Sequence, residues 1–212
     1  MREIWFGLVL GLTLAGALPT AAQAPKPADP ATAARLLRPT GHDRVLGKAE
    51  APLTIIEYAS LSCPHCAHFA TDVLPKLKEK WIDSGKVKLI LRDFPLDEPA
   101  MRAEMALRCA PPERFYPLAE TLFQTQDKWV MAKDWKAALE RILKLGGVGG
   151  KELTACLDNK KLEDEVAQSR LVAATQLGVD STPTFFVNGK KYEGEPSFEA
   201  FDKLLAGLAQ NS

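Results

Sequence analysis

The sequence predicts an α/β fold in which a βαβ half and a ββα half are separated by a helical insertion. Three observations predict it. Two apolar, β-branched runs at 53–59 and 87–94 flank an amphipathic helical stretch. Helical periodicity then continues from about Leu96 to Leu177. Strand patterning returns at TFFVNGKKY, 184–192.

Taken in order, MREIWFGLVLGLTLAGALPTAAQA (1–24) reads as a secretory signal peptide with cleavage expected after Ala24. Its apolar run, Ile4 to about Leu18, is shorter than the roughly 20 residues that span a bilayer. Export from the cytosol is therefore expected, with a retained membrane anchor as the alternative, into surroundings in which disulfides persist. Residues 25–43, rich in Pro and Ala, read as a flexible leader.

Folded structure is expected from Arg44, with 44–95 and 178–210 forming one domain and 96–177 inserted as a helical block. LTIIEYA (53–59) and VKLILRDF (87–94) are nearly unbroken apolar runs, as suits strands covered on both faces. Between them Phe69, Val73, Leu77 and Trp81 recur every fourth residue, the apolar face of a helix, with Pro75 expected to kink it. Strand, helix, strand implies parallel pairing with a right-handed crossover. In the block, Met101, Met105 and Cys109 share one face, as do Phe115, Leu118 and Leu122, and GGVGG (146–150) interrupts the run. Asn188-Gly189 marks a hairpin, because both turn positions need positive φ. Ser197 is expected to cap a last helix that buries Phe198, Phe201, Leu205 and Leu208. Lys plus Arg and Asp plus Glu both number 27, so charge gives no reason to expect nucleic acid as a partner.

The chemistry concentrates at CPHC, residues 63–66. Pro64 suits the first helical turn, where its missing N–H costs nothing. Cys63 then faces the free N–H groups at the start of the helix, which favour thiolate. Cysteines of such pairs have pKa values of about 3.5 to 7, against about 8.5 for free cysteine. His65 supplies a further donor to the anion, and Cys66, one turn on, is the less exposed partner. A staple closing so small a loop restrains the unfolded chain little. A zinc site needs four ligands, and no second Cys-x-x-Cys accompanies His42, His65 and His68, so no metal is expected. Glu57, in the apolar strand six residues before Cys63, has two open readings. It is a buried carboxyl of raised pKa that moves protons to and from Cys66, or a strand-end carboxylate in water. Cys109 and Cys156 sit on apolar faces of separate helices. In an exported protein a second, structural disulfide is expected there rather than two buried free thiols.

CPHC, Glu57, the helical block and TPTFFVNG (182–189) together resemble the thioredoxin superfamily, and within it the DsbA-like periplasmic thiol oxidoreductases, from about Arg44 to Leu208. The resemblance implies a thioredoxin fold with Cys63 as attacking thiol and Cys66 as resolving thiol. It implies a cis-proline at Pro183 and, at Thr182, a backbone that pairs with an extended substrate peptide. Thr182 stands where the best-known oxidase of the family has Val, and Thr also occurs there in isomerases. The activity implied is a monomeric dithiol oxidase without a cofactor, acting on reduced exported proteins and reoxidised by a membrane quinone-linked partner. The alternatives are an isomerase or reductase of the same fold, or a non-catalytic binding or metal-carrier module.

Overall fold

A computed structural model describes residues 27–210; the expected signal peptide lies outside the described residues. The chain forms α1 (Pro30–Leu36), β1 (Val45–Leu46) and β2 (Leu53–Ala59), then one helical run from 64 to 82. That run comprises α2 (Pro64–His68), a π-helical turn (Phe69–Val73), α3 (Leu74–Leu77) and a second π-helical turn (Lys78–Ile82). Next come β3 (Val87–Asp93), α4 (Glu98–Arg108), a 3-10 turn (Pro112–Arg114), α5 (Phe115–Gln124), α6 (Gln126–Val130) and α7 (Trp135–Leu145). The chain continues with α8 (Gly150–Leu157), α9 (Lys160–Gln176), β4 (Thr184–Val187), β5 (Lys190–Lys191) and α10 (Phe198–Ala209).

The sheet runs β1-β3-β2-β4-β5, with β2 and β3 parallel and the other neighbours antiparallel. Because side chains alternate along a strand, each face has its own core. Leu53, Ile55, Leu89 and Phe185 pack beneath Phe69, Val73, Leu77 and Trp81 and against Phe201 and Leu205 of α10. On the opposite face Ile56, Tyr58, Ile90 and Phe186 pack with Ala173 and Leu177 at the end of α9. Glu57, on the face beneath the helical run, lies in register between Leu91 of β3 and Phe185 of β4.

The helical block does not stand apart from this sheet. One continuous core joins Cys63, Cys66 and Ala70 to Leu107, Phe115, Leu122 and Trp129. The insertion therefore forms a wall of the region around Cys63 and Cys66. The turn after β4 has Asn188 at φ 47° and Gly189 at φ 80°, the two positive values that a two-residue hairpin needs. Ser197 caps α10 through the Ala200 N–H; Phe201 and Leu205 are fully buried and Phe198 and Leu208 only half-buried.

Two expectations are corrected. Residues 25–43 were expected to be flexible, yet Asp29 caps α1 and Leu37 is buried on the back of the sheet. The cause is Arg92 of β3, a buried guanidinium whose donors must be satisfied. It donates to the Leu36 and Arg38 carbonyls at 2.8 and 2.9 Å, to both Asp43 carboxylate oxygens, and to the Tyr58 hydroxyl. Pro75 was expected to kink the helical run; a π-helical turn closes two residues before it, opening the hydrogen-bond ladder where the N–H is missing. Cys109 is not on a buried helix face but is the exposed C-cap residue of α4.

Candidate active site

Cys63 is the N-cap of α2 in extended conformation, and Pro64 is the first helical residue. Strand β2 delivers the chain to this point, and a turn closed by the Cys63 N–H to the Ser60 carbonyl aims it into the helix. The Cys63 Sγ donates to the Thr182 carbonyl at 3.3 Å. The Cys66 thiol, the contact with Thr182 and the backbone N–H groups of Cys66 and His65 hold the Cys63 thiol down to about 5, against the opposing effect of burial. Cys66 is fully buried, and burial together with the Cys63 sulfur and the Glu57 charge pushes its thiol far up. One thiol is thus set as the anion and the other as the proton holder. Both are free thiols in this structure.

The sequence left Glu57 between two readings, and the structure decides for burial. It is 2% exposed, and Oε1 has no hydrogen-bond partner. Burial, with a smaller push from the Cys63 sulfur, raises its carboxyl to about 8. A carboxyl of that kind carries a proton at neutral pH and can both give and take one.

Pro64 and His65 are exposed at the helix start. It is the His65 backbone N–H that supports the Cys63 sulfur; among the described residues no hydrogen bond joins its ring to that atom. His68 points away and pairs with Asp72 at 2.9 Å. The Thr182-Pro183 peptide is cis and leads directly into β4, so a residue 119 positions from Cys63 meets its sulfur. Cys109 and Cys156 form a disulfide with Cα atoms 6.3 Å apart, joining the end of α4 to α8.

Sequence reasoning missed two residues here. Gln126, the first residue of α6, donates through Nε2 to the Leu61 and Cys63 carbonyls at 2.8 and 3.0 Å. Glu104, buried in α4, accepts from the Leu61 N–H at 3.2 Å. Burial, with the Asp93 charge next, raises its carboxyl well above the usual range. Glu104, set between Ala103 and the apolar residues 105–107, carried a local signal; nothing local marks Gln126. Together they pin both sides of the loop that carries Cys63.

The family model described as Thioredoxin matches residues 39–206. The crystal structure of alpha-DsbA1 from Wolbachia pipientis superposes with a TM-score of 0.78 at 32% identity, over 84% of this chain and 96% of that one. A protein-disulfide isomerase from Novosphingobium aromaticivorans gives 0.69 at 25% identity, over 79% and 97% of the two chains. A Rickettsia typhi relative that carries the name protein-disulfide oxidoreductase is 34% identical over 154 residues, 72% of this chain and 57% of the relative. The chain spans roughly three fifths of the length of the Rickettsia relatives it matches.

Proposed function

Since the chain belongs to the thioredoxin superfamily and to its DsbA-like group, we propose that it is a thiol:disulfide oxidoreductase that works as a dithiol oxidase on exported proteins. The observation that carries this reading is the unequal pair itself, Cys63 held down to about 5 and Cys66 pushed far up, beside the carbonyl of Thr182. A low thiol pKa stabilises the reduced pair, and a stable reduced pair makes its disulfide a strong oxidant.

In the working direction Cys63 and Cys66 are joined as a disulfide. A substrate thiolate attacks the Cys63 sulfur, forming a substrate–Cys63 mixed disulfide and expelling Cys66 as a thiolate. That thiolate is a poor leaving group, so the proton held by Glu57 passes to it. A second substrate thiolate then attacks the substrate sulfur of the mixed disulfide. Cys63 leaves as its stabilised thiolate, the substrate departs with a disulfide, and the pair has gained two electrons. Thr182 and Pro183 offer a backbone beside the sulfur that pairs with an extended substrate peptide, as in strand addition. A membrane quinone-linked partner returns the electrons. The protein acts in the periplasm as a monomer, and the Cys109–Cys156 disulfide is structural. No helix among the described residues is long and apolar enough to cross a membrane.

Disulfide isomerase is the second reading, favoured by Thr182 and by the likeness to the Novosphingobium protein named as one. Equilibration of the Cys63–Cys66 pair with glutathione separates the two. An oxidase gives a potential near about −120 mV, a disulfide isomerase one near about −180 mV, and a value near about −270 mV makes the protein a reductase and overturns the proposal.

A further inference from the structure

Between the helical run 64–82, α5 and the sheet lies a cavity of about 250 Å³. Its walls are chiefly apolar: Leu89 and Leu91 from β3, Ala70 and Leu74 from the helical run, Ala119 and Phe123 from α5. Glu57 lies at its inner end, while exposed Lys78 and Glu120 stand at its mouth. Most of its polar groups are already engaged. Lys78 pairs with Asp83, Glu120 accepts from Gln124, and the Tyr116 hydroxyl is held by the backbone of Arg44, Leu89 and Leu91. Glu57 Oε1 is the buried oxygen of this lining that has no partner among the described residues.

An apolar cavity of about 150 Å³ takes a benzene ring. The present one has room for a substituted ring, and its carboxyl, protonated at neutral pH, offers both a donor and an acceptor to one hydroxyl. A buried carboxyl that makes no hydrogen bond is costly, so a ligand that pairs with it is favoured over a purely apolar one. The cavity also faces the one group through which Cys66 exchanges its proton.

We propose that this cavity binds a small apolar molecule of one ring bearing a single hydroxyl, seated on Glu57, and that its occupancy slows thiol exchange at Cys63 and Cys66. The second clause rests on the proposed function, since a molecule filling the cavity separates the Glu57 carboxyl from water. The binding clause does not.

The test titrates p-cresol, and separately toluene, into the full wild-type chain by calorimetry, and repeats the titration with Ala119→Leu, which fills the cavity. Saturable binding at one site per chain is expected, about fivefold tighter for p-cresol than for toluene, the worth of one hydrogen bond. Ala119→Leu with native circular dichroism should lose it. The wild-type comparison of the two probes needs no variant to fold. Lack of saturation, equal affinity for both probes, or undiminished binding by a folded Ala119→Leu overturns the proposal, the cavity then holding only water. Exchange with a cysteine peptide is followed in the same samples: a p-cresol-bound chain that exchanges at the full rate also overturns it. A chain that binds p-cresol but never exchanges, even without it, overturns the proposed function and leaves the binding site standing.

Discussion

Cys63 and Glu57 sit in one site and respond to pH in opposite senses. The Cys63 thiol lies near 5 in the folded dithiol form, against an ordinary 9.0. Its lowered value stabilises the reduced fold fully above the ordinary value, and that stabilisation is lost as pH falls through about 5. Denaturant unfolding of the reduced and oxidised forms should therefore show the reduced form more stable at neutral pH, with the gap closing in acid. Glu57 is raised from 4.5 to about 8. Its stabilisation is complete below the unfolded value of 4.5 and disappears as pH rises through about 8, a loss of up to about 5 kcal/mol. Glu57→Gln should flatten this decline in unfolding experiments across that range and slow release of Cys66 in stopped-flow exchange. An unchanged pH profile in the variant would remove Glu57 from the proton path. The sequence marked both residues, but at Glu57 it could not choose between core and solvent. A strand pattern reports which face a side chain is on, not what covers that face.

Among the elements, α4 and α6 govern the loop before CPHC. The Leu61 N–H is buried with Glu104 as its acceptor. Glu104→Ala removes that acceptor and should cost about 1–3 kcal/mol in urea unfolding, the desolvation penalty of an orphaned buried N–H. Glu104→Gln keeps an amide oxygen in place and should recover most of it. A purely space-filling Glu104 predicts recovery in Glu104→Met as well, which keeps most of the volume but offers no acceptor oxygen to the Leu61 N–H. If the loop sets the sulfur, alkylation of Cys63 should also lose its low-pH onset in Glu104→Ala and regain it in Glu104→Gln. None of this was legible from periodicity, which identified the helices but not their neighbours. The helical run 64–82 teaches the same lesson: the apolar four-residue step was visible, while the two π-helical turns within it were not.

At the scale of the molecule, the second disulfide closes a 47-residue separation across the helical block. Restraining a loop of that length in the unfolded chain is worth about 4 kcal/mol in the entropic account. Replacing Cys109 and Cys156 together by Ala should lower stability by about that amount in denaturant unfolding. Mixed-disulfide capture through Cys63 should persist, and capture lost along with this pair would make it part of the exchange path. The N-terminal segment is tied in by a different force. Arg92 reaches Leu36, Arg38 and Asp43, so residues read from composition as a flexible leader complete the back of the sheet.

The sequence by itself determined the succession of a βαβ half, a helical block and a ββα half, the helix start at Cys63 and the hairpin at Asn188-Gly189, because each depends on residues a few positions apart. Tertiary structure alone decided that Thr182 meets the Cys63 sulfur, that Gln126 and Glu104 hold its loop, and that Glu57 faces a cavity with an oxygen unpaired. Those contacts join positions that local pattern cannot relate, and their energies depend on burial, which exists only once the halves and the helical block have packed together.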